Sequence, residues 1–175
     1  MAKIILIYST TDGHTREICH YLQQVIERQN NQVALISIHD TSEIDLKSFD
    51  KIVIGASIRY GKHSRRVYEF VKMYLPVLDA KPNAFFSVNV VARKPEKSHP
   101  ETNPYLIKFL KQIPWKPKNL AVFAGKIDYQ KYNYWDRSMI RLIMWMTRGP
   151  TDPNTNIDFT NWSHVEYFGQ VIDEM

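Results

Sequence analysis

Five short apolar segments alternate with segments of helical periodicity along this chain. The apolar segments lie at residues 4–8, 33–38, 52–55, 84–91 and 120–124. Each is short enough to be a strand that is buried on both faces of a sheet. The alternation predicts an α/β fold: a doubly wound, five-stranded parallel sheet in the order 2-1-3-4-5, with ligands bound at the carboxyl ends of the strands near the switch point.

Helices are predicted between these strands. Apolar residues recur at intervals of three and four in residues 18–26 and 67–78, which predicts two helices. The same spacing follows Asn103 and Thr160, and we expect these two residues to cap a third and a last helix. The 175 residues fit one domain, residues 1–175. The single cysteine, Cys19, excludes an internal disulfide, so we expect a reducing, cytoplasmic setting and no metal site.

A long insertion follows the fifth predicted strand. About residues 128–157 separate that strand from the last helix, whereas such connections usually take about 2–6 residues. We interpret Trp135 to Arg148 as a helix on which Arg137, Arg141 and Arg148 share one side, while apolar residues cover most of the rest. Long insertions are often functional, and we predict a function for this one.

Two interpretations of the insertion stay open. A strongly apolar helix with a narrow cationic stripe and aromatic ends is typical of helices that lie on a membrane surface. In this interpretation Trp135, Arg137, Arg141 and Trp145 face the membrane. The alternative is a helix packed on its own domain or at a homodimer contact. No segment reaches the roughly 18 apolar residues that span a bilayer, so we expect no integral membrane protein, although the chain can still lie on a membrane. The net charge of +5 favours an anionic partner, which can be nucleic acid, acidic lipid or a polycarboxylate substrate, and the charge alone does not choose among these.

The loop after the first strand has the composition of a phosphate-binding site. Ser9-Thr10-Thr11-Asp12-Gly13-His14-Thr15 follows a buried strand and opens an amphipathic helix, whose N-terminal amides attract an anion. Four hydroxyl groups can donate to phosphate oxygens, and Gly13 lets the backbone approach the ligand. Because a carboxylate repels phosphate, we expect Asp12 to turn outward or to close an Asx-type turn.

The same loop excludes other nucleotide sites. It contains neither the G-x-x-x-x-G-K-[ST] pattern of a Walker A loop nor the G-x-G-x-x-G pattern of a dinucleotide fold. A lysine-free loop that is rich in hydroxyls suits one terminal phosphomonoester, which predicts FMN. Two further loops follow the third and fourth strands and are expected to hold the flavin ring, with Tyr60 best placed to touch it. The residues that we predict to bind FMN are Ser9, Thr10, Thr11, Asp12, Gly13, His14, Thr15, Ser57, Ile58, Arg59, Tyr60, Gly61, Ser87, Val88, Asn89, Val90, Val91, Ala92 and Arg93.

The first loop resembles the phosphate loop of the flavodoxins. Four of its residues match the flavodoxin pattern, namely Tyr8, Thr10, Gly13 and Thr15. Two depart from it: Ser9 stands where flavodoxins have a glycine, and Asp12 stands where they have a hydroxyl residue. A closer resemblance covers essentially the whole chain. Residues 9–18, 54–61, 87–97, 134–144, 149–152 and 159–162 resemble, in this order, the menaquinone-dependent protoporphyrinogen IX dehydrogenases. Asp12 departs from the flavodoxins but not from this family.

This resemblance implies an enzyme of haem biosynthesis. It would remove six electrons from protoporphyrinogen IX in three steps, with FMN passing each pair to menaquinone or another membrane quinone. The resemblance therefore implies a cytoplasmic protein that is peripheral on the inner face of the bacterial cell membrane, with an anionic membrane surface as a partner and no nucleic acid. The substrate carries propionates, so Arg59, Arg93 and Lys94 are candidate substrate ligands. We assign no catalytic side chain, because the histidines are scattered.

Two alternative functions stay open at this stage. One is a flavodoxin-like electron carrier or another FMN-dependent quinone reductase, although the basic charge and the apolar insertion count against a carrier. The other is a doubly wound domain without flavin, such as a receiver, for which the required acidic cluster is missing.

Overall fold

A computed structural model describes residues 1–175 as a parallel sheet between two layers of helices. The strands are β1 (Lys3–Ser9), β2 (Gln32–Ser37), β3 (Lys51–Arg59), β4 (Lys62–His63), β5 (Asn83–Asn89), β6 (Asn119–Ala124), β7 (Lys126–Asp128) and β8 (Asn156–Asp158). The α-helices are α1 (His14–Glu27), α2 (Arg65–Ala80), α3 (Pro104–Gln112), α4 (Tyr134–Met146) and α5 (Trp162–Glu174).

The parallel sheet has the order β2-β1-β3-β5-β6. Because β5 and β6 are the fourth and fifth strands predicted from the sequence, the predicted flavodoxin-like order is confirmed. Helices α1 and α5 pack on one face, around Leu6 and Phe86. Helices α2 and α3 pack on the other, around Ile54 and Phe85. The apolar runs are therefore buried on both faces, which is why they lack alternation.

The strand register brings three loops to one edge of the sheet. Ser9 at the end of β1 pairs with Ala56 of β3, and Ser57 pairs with Val88 of β5. The segments that follow these strands therefore start side by side at the carboxyl edge, where ligands bind in open α/β sheets.

Three predicted boundaries need correction. The third strand was predicted to end at residue 55 but continues to Arg59, so Ser57, Ile58 and Arg59 belong to β3, whose end pairs with β4, and not to a loop. The fourth strand ends at Asn89, because the Asn89 side chain accepts a hydrogen bond from Ala92 N and turns Val90–Arg93 into a 3₁₀ helix. The last helix is capped by Asn161, which accepts from His164 N, and not by Thr160. Between β2 and β3 the chain forms two short 3₁₀ helices, Ile38–Glu43 and Leu46–Ser48.

The insertion is closed at its base by a two-stranded ribbon. β7 and β8 pair antiparallel, and Phe159 N donates to Gly125 O at 3.1 Å. Between these strands, α4 ends at Met146, so the prediction that Arg148 belongs to the helix was wrong. Arg148 has a left-handed backbone (φ 56°) that turns the chain out of the helix. No helix of the chain combines the length and the apolar character needed to cross a membrane.

Candidate functional site

One cleft lies at the carboxyl edge of the sheet and encloses about 1050 Å³, its open mouth included. Its walls come from four segments: the loop after β1, the end of β3 with its turn, the segment after β5, and the insertion. The first three are the segments that the sequence predicted to bind a flavin. The fourth adds a wall that a minimal flavodoxin-like domain does not have.

The first turn of α1 has features of an anion site. No side chain caps α1, whereas Ser64, Asn103, Asn133 and Asn161 each accept a hydrogen bond from the first turn of α2, α3, α4 and α5 respectively. The first amides of α1 therefore keep their donor capacity for a ligand.

Two hydroxyl groups complete this end of the cleft. The Thr15 Oγ1 atom is buried and has no hydrogen-bond partner, a situation that costs about 1–3 kcal/mol. Thr10 Oγ1 accepts from Gly13 N at 2.9 Å and fixes the turn. Gly13 has a left-handed φ of 90°, and a Cβ built there would meet no atom within 4 Å. These residues fit a phosphomonoester such as that of FMN.

His14 is fixed by protein contacts although it lines the cleft. The Thr160 hydroxyl donates its hydrogen to Ala124 O at 2.9 Å. Because that hydrogen is used, the His14 Nε2 atom, which lies 2.7 Å from Thr160 Oγ1, is the donor in the bond between these two side chains. The Nδ1 atom lies 3.0 Å from the Glu17 carboxylate. Through Thr160, His14 thus joins the start of α1 to the end of β6 and keeps the loop after β1 in place.

A tight hairpin forms the next part of the wall. β4 pairs antiparallel with the end of β3, and the two turn residues, Tyr60 and Gly61, have φ angles of 51° and 79°. Such a turn requires positive φ at both positions, which costs a tyrosine more than a glycine. Tyr60 lines the cleft and is 51% exposed, and its contact with a flavin ring stays a prediction.

A buried polar network supports the two predicted ring loops. His63 Nδ1 donates to Ser57 O at 3.2 Å, and its Nε2 lies 3.4 Å from Ser87 Oγ. Asn89 Nδ2 donates to Ser87 Oγ, and Asn103 Nδ2 donates to Asn89 Oδ1 at 3.0 Å. Burial lowers the pKa of His63 to about 4, so the ring is neutral near pH 7. This network fixes the end of β3 relative to the end of β5.

The insertion supplies an apolar wall and a charged rim. Ile140, Ile143 and Met144 on the inner side of α4 line the cleft, and Lys126 and Lys131 line it closer to the ribbon. The cleft therefore has a polar end at α1 and an apolar side at α4. A planar, largely apolar ligand with anionic substituents suits this combination.

Asp12, Arg59 and Tyr132 meet at the cleft from three different segments. The Arg59 guanidinium forms an ion pair with the Asp12 carboxylate, and its Cζ lies 5.4 Å from the centroid of the Tyr132 ring. Of the two alternatives expected for Asp12, the Asx turn was wrong, because no backbone amide donates to its carboxylate. The carboxylate is 36% exposed at the cleft and is paired with Arg59. Burial raises the pKa of Asp12, and the charge of Arg59 opposes that rise.

Arg93 and Lys94 do not line the cleft. Arg93 Nη1 donates to Val90 O at 3.1 Å, and Nη2 donates to the carbonyl and hydroxyl oxygens of Thr147. The guanidinium, whose pKa burial lowers, holds α4 against the segment after β5. The prediction that Arg93 and Lys94 bind the substrate is therefore not supported, because neither residue lines the cleft and Arg93 is bound to backbone oxygens.

The outer side of α4 is an exposed apolar surface. It consists of Tyr134, Trp135, Met139, Leu142, Trp145 and Met146, with Trp135 76% and Trp145 72% exposed. The predicted cationic stripe is bound to the insertion itself: Arg137 Nε donates to Tyr129 O at 3.0 Å and Arg141 Nε to Thr151 O at 2.8 Å. The aromatic residues, and not these two arginines, dominate the outer surface.

All but five of the predicted flavin-binding residues line the cleft. The exceptions are Ser9, Gly13, Ser87, Ala92 and Arg93, which support it from behind. The sequence prediction missed Glu17, Tyr105, Gly125, Lys126, Asp128, Lys131, Tyr132, Ile140, Ile143 and Met144. Most of these follow the carboxyl end of β6, so the topology alone pointed to them: an insertion that leaves the sheet at that edge must start beside the cleft.

The chain is similar to known flavoproteins along most of its length. Residues 5–154 match the flavodoxin domain. The chain is 43% identical over 170 residues to the protoporphyrinogen IX dehydrogenase [quinone] of Escherichia coli K12, covering 97% of this chain and 94% of that protein. It is 41% identical over 167 residues to a protein of the same name from Leishmania major, covering 95% of this chain and 72% of that protein.

Solved structures show the same fold at low identity. Flavodoxin 2 from Bacillus cereus superposes with a TM-score of 0.55 at 14% identity and covers 99% of both chains. A flavodoxin from the domain Archaea gives a TM-score of 0.54 at 16% identity, covering 98% of this chain and 96% of the other.

Proposed function

The chain belongs to the family of quinone-dependent protoporphyrinogen IX dehydrogenases, oxidoreductases with a flavodoxin-like fold, and on this premise we propose that it binds FMN and oxidises protoporphyrinogen IX to protoporphyrin IX with a quinone as acceptor. One observation supports this function above the others. At α1 the cleft has an uncapped helix N-terminus and the unpartnered hydroxyl of Thr15, and along the insertion it has an apolar wall, so a flavin phosphate and a large apolar partner can share it.

The phosphate loop would hold the cofactor through its phosphate. Thr15 Oγ1, the hydroxyl of Thr11 and the first amides of α1 are the donors, and Thr10 keeps the turn in shape. The hairpin at Tyr60 and the segment Val88–Val91 would enclose the ring. When bound, FMN supplies the two-electron redox chemistry, and the protein supplies position and environment.

No side chain is assigned as a catalytic acid or base. His63 is neutral, buried and engaged on both nitrogens, and His14 is bonded to Thr160 and Glu17. The cleft is open at its mouth, so water can take up the protons that leave the substrate. Ile140, Ile143 and Met144 exclude water from one side of the cleft and offer contact area to the macrocycle.

We further propose that α4 places the protein on the cytoplasmic face of the cell membrane. Its outer side exposes two tryptophans and several large apolar residues, while its inner side lines the cleft. Amphipathic aromatic side chains favour the lipid–water interface. A quinone dissolved in the lipid and a substrate of low solubility would both reach the flavin from this side.

The test is an anaerobic assay with purified, FMN-loaded protein. We expect FMN to bind, as measured by quenching of its fluorescence, and porphyrin fluorescence to grow when protoporphyrinogen IX and a menaquinone analogue are added together. A ubiquinone analogue in a parallel assay identifies the preferred acceptor. Porphyrin formation no faster than without protein would refute the dehydrogenase and leave an electron carrier, while failure to bind FMN would refute both.

A further inference from the structure

We propose that Arg59 binds a carboxylate of the substrate and that Asp12 is the internal counter-ion that limits how strongly it does so. This proposal rests on the function proposed above and assigns a subsite within it. The relevant geometry is the meeting of the phosphate loop, the β3–β4 hairpin and the insertion at one guanidinium.

The Arg59 guanidinium is held in place but is not saturated. Only Nη2 donates to a protein atom, Asp12 Oδ2, so Nε and Nη1 keep their donor capacity. The side chain lines the cleft and is 18% exposed. The Arg59 Cζ atom lies over the Tyr132 ring, 5.4 Å from its centroid, which favours the charged guanidinium at this place. The guanidinium has five N–H groups, and the pairing with Asp12 uses one of the two on Nη2. The second N–H of Nη2 stays available together with the neighbouring N–H of Nε or Nη1, and such an edge binds a carboxylate through two parallel hydrogen bonds.

Arg93 provides the contrast. Its guanidinium donates to Val90 O and to both oxygens of Thr147, and it does not line the cleft. Of the two arginines that the sequence singled out, only Arg59 can therefore reach a ligand without breaking protein contacts. Lys126 and Lys131 also line the cleft, and they would supply the charge attraction that remains when Arg59 is removed.

Asp12 reduces the net charge of this subsite. It pairs with Arg59 and is partly withdrawn from water, with 36% of its side chain exposed. A substrate carboxylate therefore meets a guanidinium whose charge is already partly neutralised. Replacement by asparagine keeps the size and removes the charge, so the whole charge of Arg59 becomes available to the ligand.

The test compares protoporphyrin IX with its dimethyl ester, which lacks both carboxylates, in the same detergent and with FMN-saturated protein. We expect Arg59→Gln to weaken binding of the diacid about tenfold and Asp12→Asn to tighten it about three- to fivefold. Binding of the dimethyl ester should change less than twofold in either variant. Arg65→Gln is the matched control for Arg59→Gln, and Asp79→Asn is the matched control for Asp12→Asn. Each control substitution changes the net charge by the same amount as its counterpart, at an exposed residue of α2 that does not line the cleft.

Each other outcome contradicts a specific statement. Equal effects on diacid and ester would mean that Arg59 only shapes the cleft. Weaker diacid binding in Asp12→Asn would overturn the counter-ion role. If Arg59→Gln weakens the binding of FMN but not of riboflavin, and leaves the binding of both porphyrins unchanged, then Arg59 contacts the flavin phosphate and the proposed carboxylate subsite is wrong. If the native protein binds neither porphyrin, the proposed substrate itself is wrong.

Discussion

The carbonyl oxygen and the hydroxyl oxygen of Thr147 both accept hydrogen bonds from Nη2 of Arg93, each at 3.2 Å. Thr147 follows the last residue of α4, and Arg93 closes the 3₁₀ helix after β5. One guanidinium therefore connects the insertion to a segment that lines the cleft. Any movement of α4 away from the cleft must break these bonds.

Arg93→Gln should loosen the insertion while leaving the phosphate end of the cleft intact. Charge-assisted hydrogen bonds are lost, so we expect the free energy of unfolding to fall by about 1–2 kcal/mol. Chymotrypsin should cleave faster at the exposed aromatic residues of α4, as followed by mass spectrometry. Arg148→Gln is the control, since Arg148 is exposed in the same segment. Unchanged cleavage in Arg93→Gln would show that other contacts hold α4.

Thr15→Val should separate phosphate binding from ring binding. The Thr15 hydroxyl is buried without a partner, so its removal should not destabilise the protein without ligand. A hydrogen bond to a charged phosphate contributes about 1.5–3 kcal/mol, and FMN should therefore bind at least about tenfold more weakly. Riboflavin, which has no phosphate, is the matched ligand and should change less than twofold. Equal weakening of both, measured by quenching of flavin fluorescence, would place the effect elsewhere.

His63 should make the protein less stable in acid. Its folded pKa of about 4 lies below the unfolded value of 6.5, so the unfolded chain binds more protons between these values and stability rises with pH. Between pH 7.5 and pH 5 this difference contributes a loss of about 2 kcal/mol. Urea unfolding at the two pH values measures it.

The control for His63 compares two substitutions. His63→Gln removes the titrating group and retains a donor for Ser57 O, so the pH dependence should flatten, although the protein starts less stable. His20→Gln removes an exposed histidine of α1 and should leave the pH dependence of the free energy of unfolding unchanged. The same slope in His63→Gln as in the native protein would assign the acid sensitivity to other groups.

The double variant Trp135→Ala with Trp145→Ala should weaken membrane association. Both side chains are exposed and make little contact with the core, so the unfolding free energy should change little. Binding to vesicles of mixed neutral and anionic lipid, measured by sedimentation, should fall about tenfold. Met73→Ala with Tyr167→Ala removes two exposed apolar residues from α2 and α5 as the control. If both pairs behave alike, or if neither affects binding, α4 is not the membrane contact.

The sheet and most of the cleft were predictable because their signals are local. Each central strand is an unbroken apolar run, and parallel strands must present their carboxyl ends at one edge, so the positions of Thr15, Ser57 and Val88 follow from strand order alone. The two-residue strand β4 was missed because two residues carry no periodicity. The dipeptide Tyr60-Gly61 was the available signal for its turn.

The remaining features depend on contacts between distant residues. Asp12 and Arg59 are 47 positions apart, and nothing in either local sequence indicates that they pair. Helix α4 is apolar on two sides, so periodicity could not tell which side packs inward. Arg137 and Arg141 looked like a free cationic stripe, yet backbone carbonyls of the insertion accept their hydrogen bonds.

The hydrogen bond from Phe159 N to Gly125 O means that the chain leaves the sheet and returns to it at almost the same point. The 33 residues from Lys126 to Asp158 are therefore joined to the rest of the domain at a single place. Because the two ends of the segment lie next to each other, changes in the length or the outer surface of the segment need not move β6 or α5. The segment is thus mechanically separable from the sheet, although its inner side completes the cleft.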